Sequence, residues 1–362
     1  WGWRVPFFLS IGLFGISIFM RLRLAESPAF RRLEATGTLS RAPLFESFFK
    51  WQSLKIVILV LFGPMVAQGV IWYTASFYAP FFLERVLKVD PVTVNEIMLI
   101  AIGVSIVLYV FFAWLSDIVG RKPVMLFGVI AGAVTYFPAF HMLTEYANPA
   151  LARAQAAAPV AVIADPADCS LQFDLIGKAE FITSCDIARN TLAQSGVSYE
   201  SRDAAAGATA RVRIGAAEVE SGSAAAPDSA ERKRLKGVIQ ARIKAGLKQS
   251  GYPEKADPAE LNRDGLTLIF IWFVVFATAL YGPLAATLVE LFPTRIRYTA
   301  LSLPYHIGTG WFGGFLPATA FAIVAATGNI YAGLWFPVGF ATLSAIVMLF
   351  RLPETKGRDI HA

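Results

Sequence analysis

Seven apolar runs decide what this 362-residue chain can fold into; they lie at about residues 5–20, 56–82, 97–115, 124–143, 266–289, 299–325 and 331–350. About 20 apolar residues at ~1.5 Å rise each cross a hydrocarbon core of ~30 Å. Charge is almost absent from the runs, so buried helices of a large soluble protein do not account for them. Composition agrees, with 56% hydrophobic and only 16% charged residues, where a soluble chain has about 25% charged. The net charge of +6 is spread over loops. It forms none of the basic, aromatic-interleaved patches of a nucleic-acid binder, so no nucleic-acid partner is expected.

The short connections divide by charge. One side holds Arg21, Arg23, Arg31, Arg32, Arg41, Lys50, Lys55, Arg121, Lys122, Arg295, Arg297, Arg351, Lys356 and Arg358, and the other only Arg4, Arg85 and Lys88. The positive-inside rule puts the rich side in the cytoplasm. The chain therefore enters from outside and ends inside, with a cytoplasmic connection at 22–55 and a cytoplasmic tail at 351–362. It opens on Trp1, not Met, and reads as a piece of a longer protein, so a signal peptide is not judged.

Residues 144–264 differ. They are polar and Ala-rich, and long translocated segments are exempt from the charge rule, so they are expected outside as a small α+β domain. ARVRIG and AAEVES read as strands and 220–230 as a linker. Within 231–253, Leu235, Val238, Ile239, Ile243 and Leu247 recur at helical spacing until Gly251 and Pro253. Cys169 and Cys185, the two cysteines of the chain, both fall here. An oxidising compartment predicts a disulfide between them.

The first run ends in RLAESP (23–28) and the seventh in RLPETK (351–356). Equivalent helices of two six-helix halves stand six spans apart, as these do. On this reading 1–21 is the last helix of a first half. Residues 56–143 and 265–350 supply three helices each to a second half.

WGWRVPF (1–7), RLRLAESPAF (21–30), LSDIVGRKPVM (115–125), ELFPTRIRYTALSLPYHIGTGWFGG (290–314) and RLPETKGRDI (351–360) together resemble the major facilitator superfamily, and within it the metabolite:proton symporters. That branch includes proline/betaine, α-ketoglutarate, shikimate and citrate transporters. The resemblance covers nearly all of 1–143 and 265–362 and omits the insert. It implies an all-α membrane fold and a multi-pass protein of the bacterial inner membrane, with the first five helices missing here. It also implies a monomer among membrane lipid that moves a small organic solute with a proton by alternating access.

The resemblance also assigns residues. In the superfamily loop Gly-x-x-x-Asp-Arg/Lys-x-Gly-Arg-Arg/Lys, this chain matches at Asp117, Gly120, Arg121 and Lys122 and departs at Ala113 and Ile118. Arg121 is then expected to pair with Glu290 or Glu26, with Arg295 and Glu354 in the same cytoplasmic gating network. The bland reading is that Arg121 and Lys122 only enforce topology. Gly63-Pro64 and Gly282-Pro283 interrupt spans, and such breaks point towards transport cavities, so Gln68, Trp72, Tyr73 and Tyr281 are candidate lining residues beside ordinary packing. His306 is a candidate proton site, weighed against a structural histidine near the cytoplasmic end. His141 is expected at the outer rim. Gly310 and Gly314 form a small-xxx-small pair expected to bring helices together. No phosphate-cradling loop, metal-ligand cluster or nucleophile elbow appears, so neither enzyme activity nor a cofactor is expected. The rival is a seven-helix receptor that binds its ligand through the insert, and last an enzyme housed in the insert.

Overall fold

The computed structural model describes residues 2–24, 28–37, 40–173 and 180–358. Seven helices in it are long and apolar enough to cross a membrane. They are α1 (Val5–Arg23), α4 (Trp51–Val86), α5 (Pro91–Val119), α6 (Arg121–Ala147), α10 (Arg263–Leu291), α11 (Arg297–Thr327) and α12 (Ala332–Arg351). Most run several residues beyond the apolar runs, because apolar sequence marks only the hydrocarbon layer while the helix continues into the interface. Short helices α2 (Pro28–Ala35) and α3 (Pro43–Phe48) join α1 to α4. No residue of α1 is buried, and Phe7, Phe8, Leu9 and Phe14 all stand exposed, an apolar surface suited to lipid or another helix.

The other six spans form one bundle, in which α10 packs on α5 and α6, α12 on α4 and α6, and α11 on α4. Aromatic side chains fill its core. Tyr136 stands edge-on to Phe273 and Phe276, and its hydroxyl donates to the Ile71 carbonyl at 2.8 Å. The prolines act differently. Around Pro64 the hydrogen bonding of α4 widens by one residue per turn over Leu61–Met65, which absorbs the missing N–H without ending the helix. Gly282-Pro283 does interrupt α10, which turns there before Leu284–Leu291.

The close approach of α4 to α11 does not use the expected glycine pair. A Cβ on Gly310 meets nothing within 4 Å, and one on Gly314 meets only the backbone of Gly310 in its own helix. The contact is made by Gly69, Gly308 and Gly313: a Cβ on Gly69 would lie 2.1 Å from the Gly308 carbonyl oxygen, and one on Gly313 2.4 Å from the Tyr73 ring. The widened turn Ile307–Gly313 explains the difference, because it rotates the face of α11 away from regular i, i+4 spacing.

Between α6 and α10 lies a small α+β unit. It comprises α7 (Pro149–Ala157), β1 (Val160–Ala164), α8 (Ser184–Gln194), β2 (Tyr199–Asp203), β3 (Arg211–Ile214), β4 (Ala217–Glu220) and α9 (Ser229–Gln249). The sheet order is β2-β1-β3-β4, with β1–β2 parallel and the other pairs antiparallel. The β3–β4 turn places Gly215 at φ 57°, a conformation natural to glycine. Ile239, Ile243 and Leu247 of α9 are buried, while Val238 is exposed. Cys169 and Cys185 are joined, their Cα atoms 5.1 Å apart, tying the segment after β1 to the first turn of α8.

The unit is fastened to the bundle. Tyr199 N–H donates to the Gly328 carbonyl at 2.7 Å, Asn148 Nδ2 to the Leu87 carbonyl at 2.9 Å, and Ala256 N–H to the Lys88 carbonyl at 3.1 Å.

Candidate functional site

The end of the bundle opposite the insert carries a cluster built on the turn between α5 and α6. Gly120 makes that turn at φ 109°, where a side chain is strained, and a Cβ there would lie 2.6 Å from the Glu354 carboxylate. Arg121 follows as the first residue of α6. Its guanidinium donates to Ser116 Oγ at 2.8 Å, to Asp117 Oδ1, and to Glu290 Oε1 at 3.3 Å. The other Glu290 oxygen accepts from the Thr355 hydroxyl at 2.6 Å. Arg121 thus joins the α5–α6 turn to the end of α10, and through Thr355 to the tail after α12. The Arg121 and Glu290 side chains are 13% and 12% exposed, while Asp117 is 63% exposed. The Glu290 arm is the sheltered one and the Asp117 arm the solvated one.

Glu354 works differently from a side-chain ion pair. It caps α6, accepting from the Arg121 N–H at 2.9 Å and the Lys122 N–H at 3.1 Å, and also from the N–H groups of Thr355 and Lys356, each at 2.9 Å. Two lysines complete the pattern at helix C-termini. Lys122 Nζ donates to the Leu349 carbonyl of α12 at 2.8 Å, and Lys356 Nζ to the Ile118 carbonyl of α5 at 2.6 Å. Each charge faces the end of the helix dipole that favours it.

Partial burial alone pushes the Glu354 carboxyl up, but the four backbone N–H donors outweigh it and hold the group below the ordinary carboxylate range. The stabilisation this gives is complete above the unfolded value of about 4.3, and is lost as pH falls below it through the depressed native value. The carboxylate is solvent-exposed and screened, so about 1 kcal/mol is at stake. Thermal unfolding from roughly pH 7 to pH 3 should show the parent losing its advantage over Glu354→Gln below about pH 4. A gap between them that persists unchanged to the lowest pH would show that Glu354 does not act through its charge.

Arg295 does not join this cluster. The chain turns after Leu291, Arg297 Nε donating to the Phe292 carbonyl at 2.9 Å, and α11 starts against α3. Arg295 there lies 2.6 Å from Glu46 Oε1, a carboxylate only 5% exposed that Lys50 also approaches at 3.6 Å. Glu46 is missed by sequence reasoning; its signal was a lone acid in the apolar stretch PLFESFF. Glu26 lies outside the described residues.

Of the mid-span candidates, Trp72 and Tyr73 meet edge-on with ring centroids 5.3 Å apart, and Tyr73 stacks on Phe77 at 5.1 Å. Tyr109 of α5 stands 5.7 Å from the Tyr281 ring, edge-on to it. The Tyr281 and Tyr305 hydroxyls are 3.4 Å apart. A chain of aromatic and hydroxyl groups therefore crosses α5, α10 and α11, and Tyr109 and Tyr305 belong to it although sequence reasoning passed over both. Gln68 is 3% exposed, and among the described residues its side-chain oxygen has no hydrogen-bond partner. Such a buried acceptor costs about 1–3 kcal/mol and calls for a functional account. His306 is exposed, its ring edge-on to Tyr305 at 5.7 Å. His141 packs on Tyr331 with ring centroids 3.8 Å apart. No group of three or more His, Cys, Asp or Glu among the described residues is placed to hold a metal ion.

Comparison with known proteins follows the same division of the chain. The Major Facilitator Superfamily model matches residues 1–163 and the Sugar (and other) transporter model residues 261–362, leaving the centre of the insert outside both. A putative proline/betaine transporter of Staphylococcus haemolyticus is 32% identical over 154 residues, 41% of this chain and 31% of that protein. The proline/betaine transporter of Escherichia coli is 33% identical over 156 residues, 40% of this chain and 30% of its own length. The glycine betaine/proline/ectoine/pipecolic acid transporter OusA of Dickeya dadantii is 32% identical over 160 residues, again 40% and 30%. The chain thus spans less than a third of the length of these relatives. No solved structure matches it.

Proposed function

This chain belongs to the major facilitator superfamily of multi-pass membrane transporters and is not an enzyme, and on that premise we propose that it serves a secondary active transporter importing a small zwitterionic or organic-acid solute by proton symport. In this reading α1 closes a first six-helix half. The helices α4–α6 and α10–α12 form the second, and the halves rock about a site between them. The transporter works as a monomer in the bacterial inner membrane, with the Arg121 cluster at the cytoplasmic mouth and the insert in the periplasm.

The Arg121 cluster is the observation that carries this reading. It joins the α5–α6 turn, the end of α10 and the tail by a few charge-assisted bonds around one residue, so a small displacement of any one element breaks several of them. That is the behaviour of a gate with two discrete states. The aromatic groups Trp72, Tyr73, Tyr109 and Tyr281 suit a quaternary ammonium or similar cationic centre, which aromatic faces attract. The solutes in the relatives' names favour the same chemistry. Uptake of labelled glycine betaine and proline by cells expressing the intact gene product should be abolished by a protonophore. Accumulation that persists without a proton gradient would overturn the symport.

Sidedness has its own test. A membrane-impermeant thiol reagent should label intact cells only after reduction, because Cys169 and Cys185 are joined and placed here in the oxidising compartment. Labelling that appears only when the membrane is permeabilised would reverse the orientation.

A further inference from the structure

A cavity of about 690 Å³ lies between the insert and the adjoining ends of α4 and α11. Five cationic side chains line it: Arg85 and Lys88 from the end of α4, Lys244 and Lys248 from α9, and Lys255 from the segment after α9. The one carboxylate among the described lining residues, Glu254, is engaged by Lys248 at 3.0 Å. The floor is apolar, made by Val197, Leu247, Phe321 and Ala325. Gln172 and Asn190, bonded to one another at 3.0 Å, add neutral polar groups.

Lys88 is the most unusual of these residues. Its backbone φ is 61°, and it is the non-glycine residue with positive φ among those described. A bulky side chain held in that region marks a constraint imposed by the surroundings. Here both partners are on the insert: Lys88 Nζ donates to the Gln194 carbonyl, and its own carbonyl accepts from the Ala256 N–H at 3.1 Å. Burial, followed by the neighbouring charges of Lys244 and Arg85, holds its ammonium below the usual lysine range. Cations so gathered repel one another, and no carboxylate among the described residues pairs with Lys88, Lys244 or Arg85.

We propose that this cavity is a binding site for a small polyvalent organic anion, its acidic groups among Arg85, Lys88 and Lys244 and its carbon skeleton on Phe321 and Ala325. The volume is that of a small-molecule site, and the wall combines an apolar floor with a few convergent charges, as such sites do. Binding here is separate from the transported solute, which the aromatic chain at mid-span is suited to hold. The occupant bridges the insert to the two helices whose glycines pack backbone to backbone, so it reports the composition of the outer medium to the bundle.

Citrate and inorganic pyrophosphate serve as probes on the purified full chain in detergent, with unfolding temperature as the readout. One or both should raise the midpoint saturably, and sodium chloride at matched ionic strength should not. Lys88→Met and Lys244→Gln should each weaken the apparent affinity about tenfold, the scale of one charge-assisted contact. Lys236→Gln, on α9 away from the cavity, should leave it unchanged. Lys244 is exposed, so its variant decides the matter if Lys88→Met folds poorly. The absence of a saturable shift with either probe would overturn the site, as would an equal shift from chloride or full affinity in Lys244→Gln.

Discussion

Arg121→Ala is expected to cost about 3 kcal/mol of stability, the low end for removing one partner of a buried ion pair. Glu290, only 12% exposed, then keeps the Thr355 hydroxyl but no cation. Asp117→Asn removes the other arm of the same guanidinium, yet Asp117 is 63% exposed and its pairing is screened, so a change of about 0.5 kcal/mol is expected. The contrast between the two variants is the measurement. Arg121→Lys should recover little, because an ammonium cannot span Ser116, Asp117 and Glu290 as the planar fork does. The double variant Arg121→Ala, Glu290→Ala should lose less than Arg121→Ala alone, since no charge is then left unpaired. Unfolding in mixed micelles reads all four. Equal losses for Arg121→Ala and Asp117→Asn would mean that the sheltered arm carries nothing. For uptake, the gate reading predicts altered rates in Arg121→Ala at normal membrane levels. Unchanged kinetics would leave the residue a topology signal only.

Gly69→Ala is the second large effect. The new methyl would sit 2.1 Å from the Gly308 carbonyl oxygen and 3.0 Å from its carbon. These are backbone atoms, and no side-chain rotation relieves the overlap. The helices must part, which costs about 2–3 kcal/mol as overpacking does. Gly310→Ala is the internal control. Nothing lies within 4 Å of that position, so the substitution should be neutral or gain up to about 1 kcal/mol of helix propensity. A Gly69→Ala protein as stable as the parent would show that α4 and α11 do not rely on this contact.

Much of the membrane fold was legible because apolar length is a one-dimensional signal, and the seven runs needed no knowledge of contacts. The strands β3 and β4 could be read from the alternation in ARVRIG and AAEVES, whereas β1, VAVIA, is a continuous apolar run that periodicity does not separate from helix. Registration of helix faces was not legible. The widened turn Ile307–Gly313 moves the close contact from Gly310 and Gly314 to Gly308 and Gly313, and nothing in the spacing of glycines announces such a turn. Site residues split the same way. The motifs named Arg121, Glu290 and Glu354, which come together at one end of the bundle, but whether Glu354 meets a side chain or a helix N-terminus is a question of backbone direction. Glu46 and Tyr109 carried no motif at all, since Arg295 and Tyr281, which they meet, lie far away in sequence.

The two ends of the insert meet at one spot. Asn262 N–H donates to the Tyr146 carbonyl at 2.8 Å, and Gly265 lies so close to Tyr146 that a Cβ there would touch its ring at 2.6 Å. The bundle therefore closes beneath the extra unit much as it would over a short hairpin. For a lineage this makes the unit separable cargo. An insertion at that junction adds a hundred-odd residues without re-threading a helix.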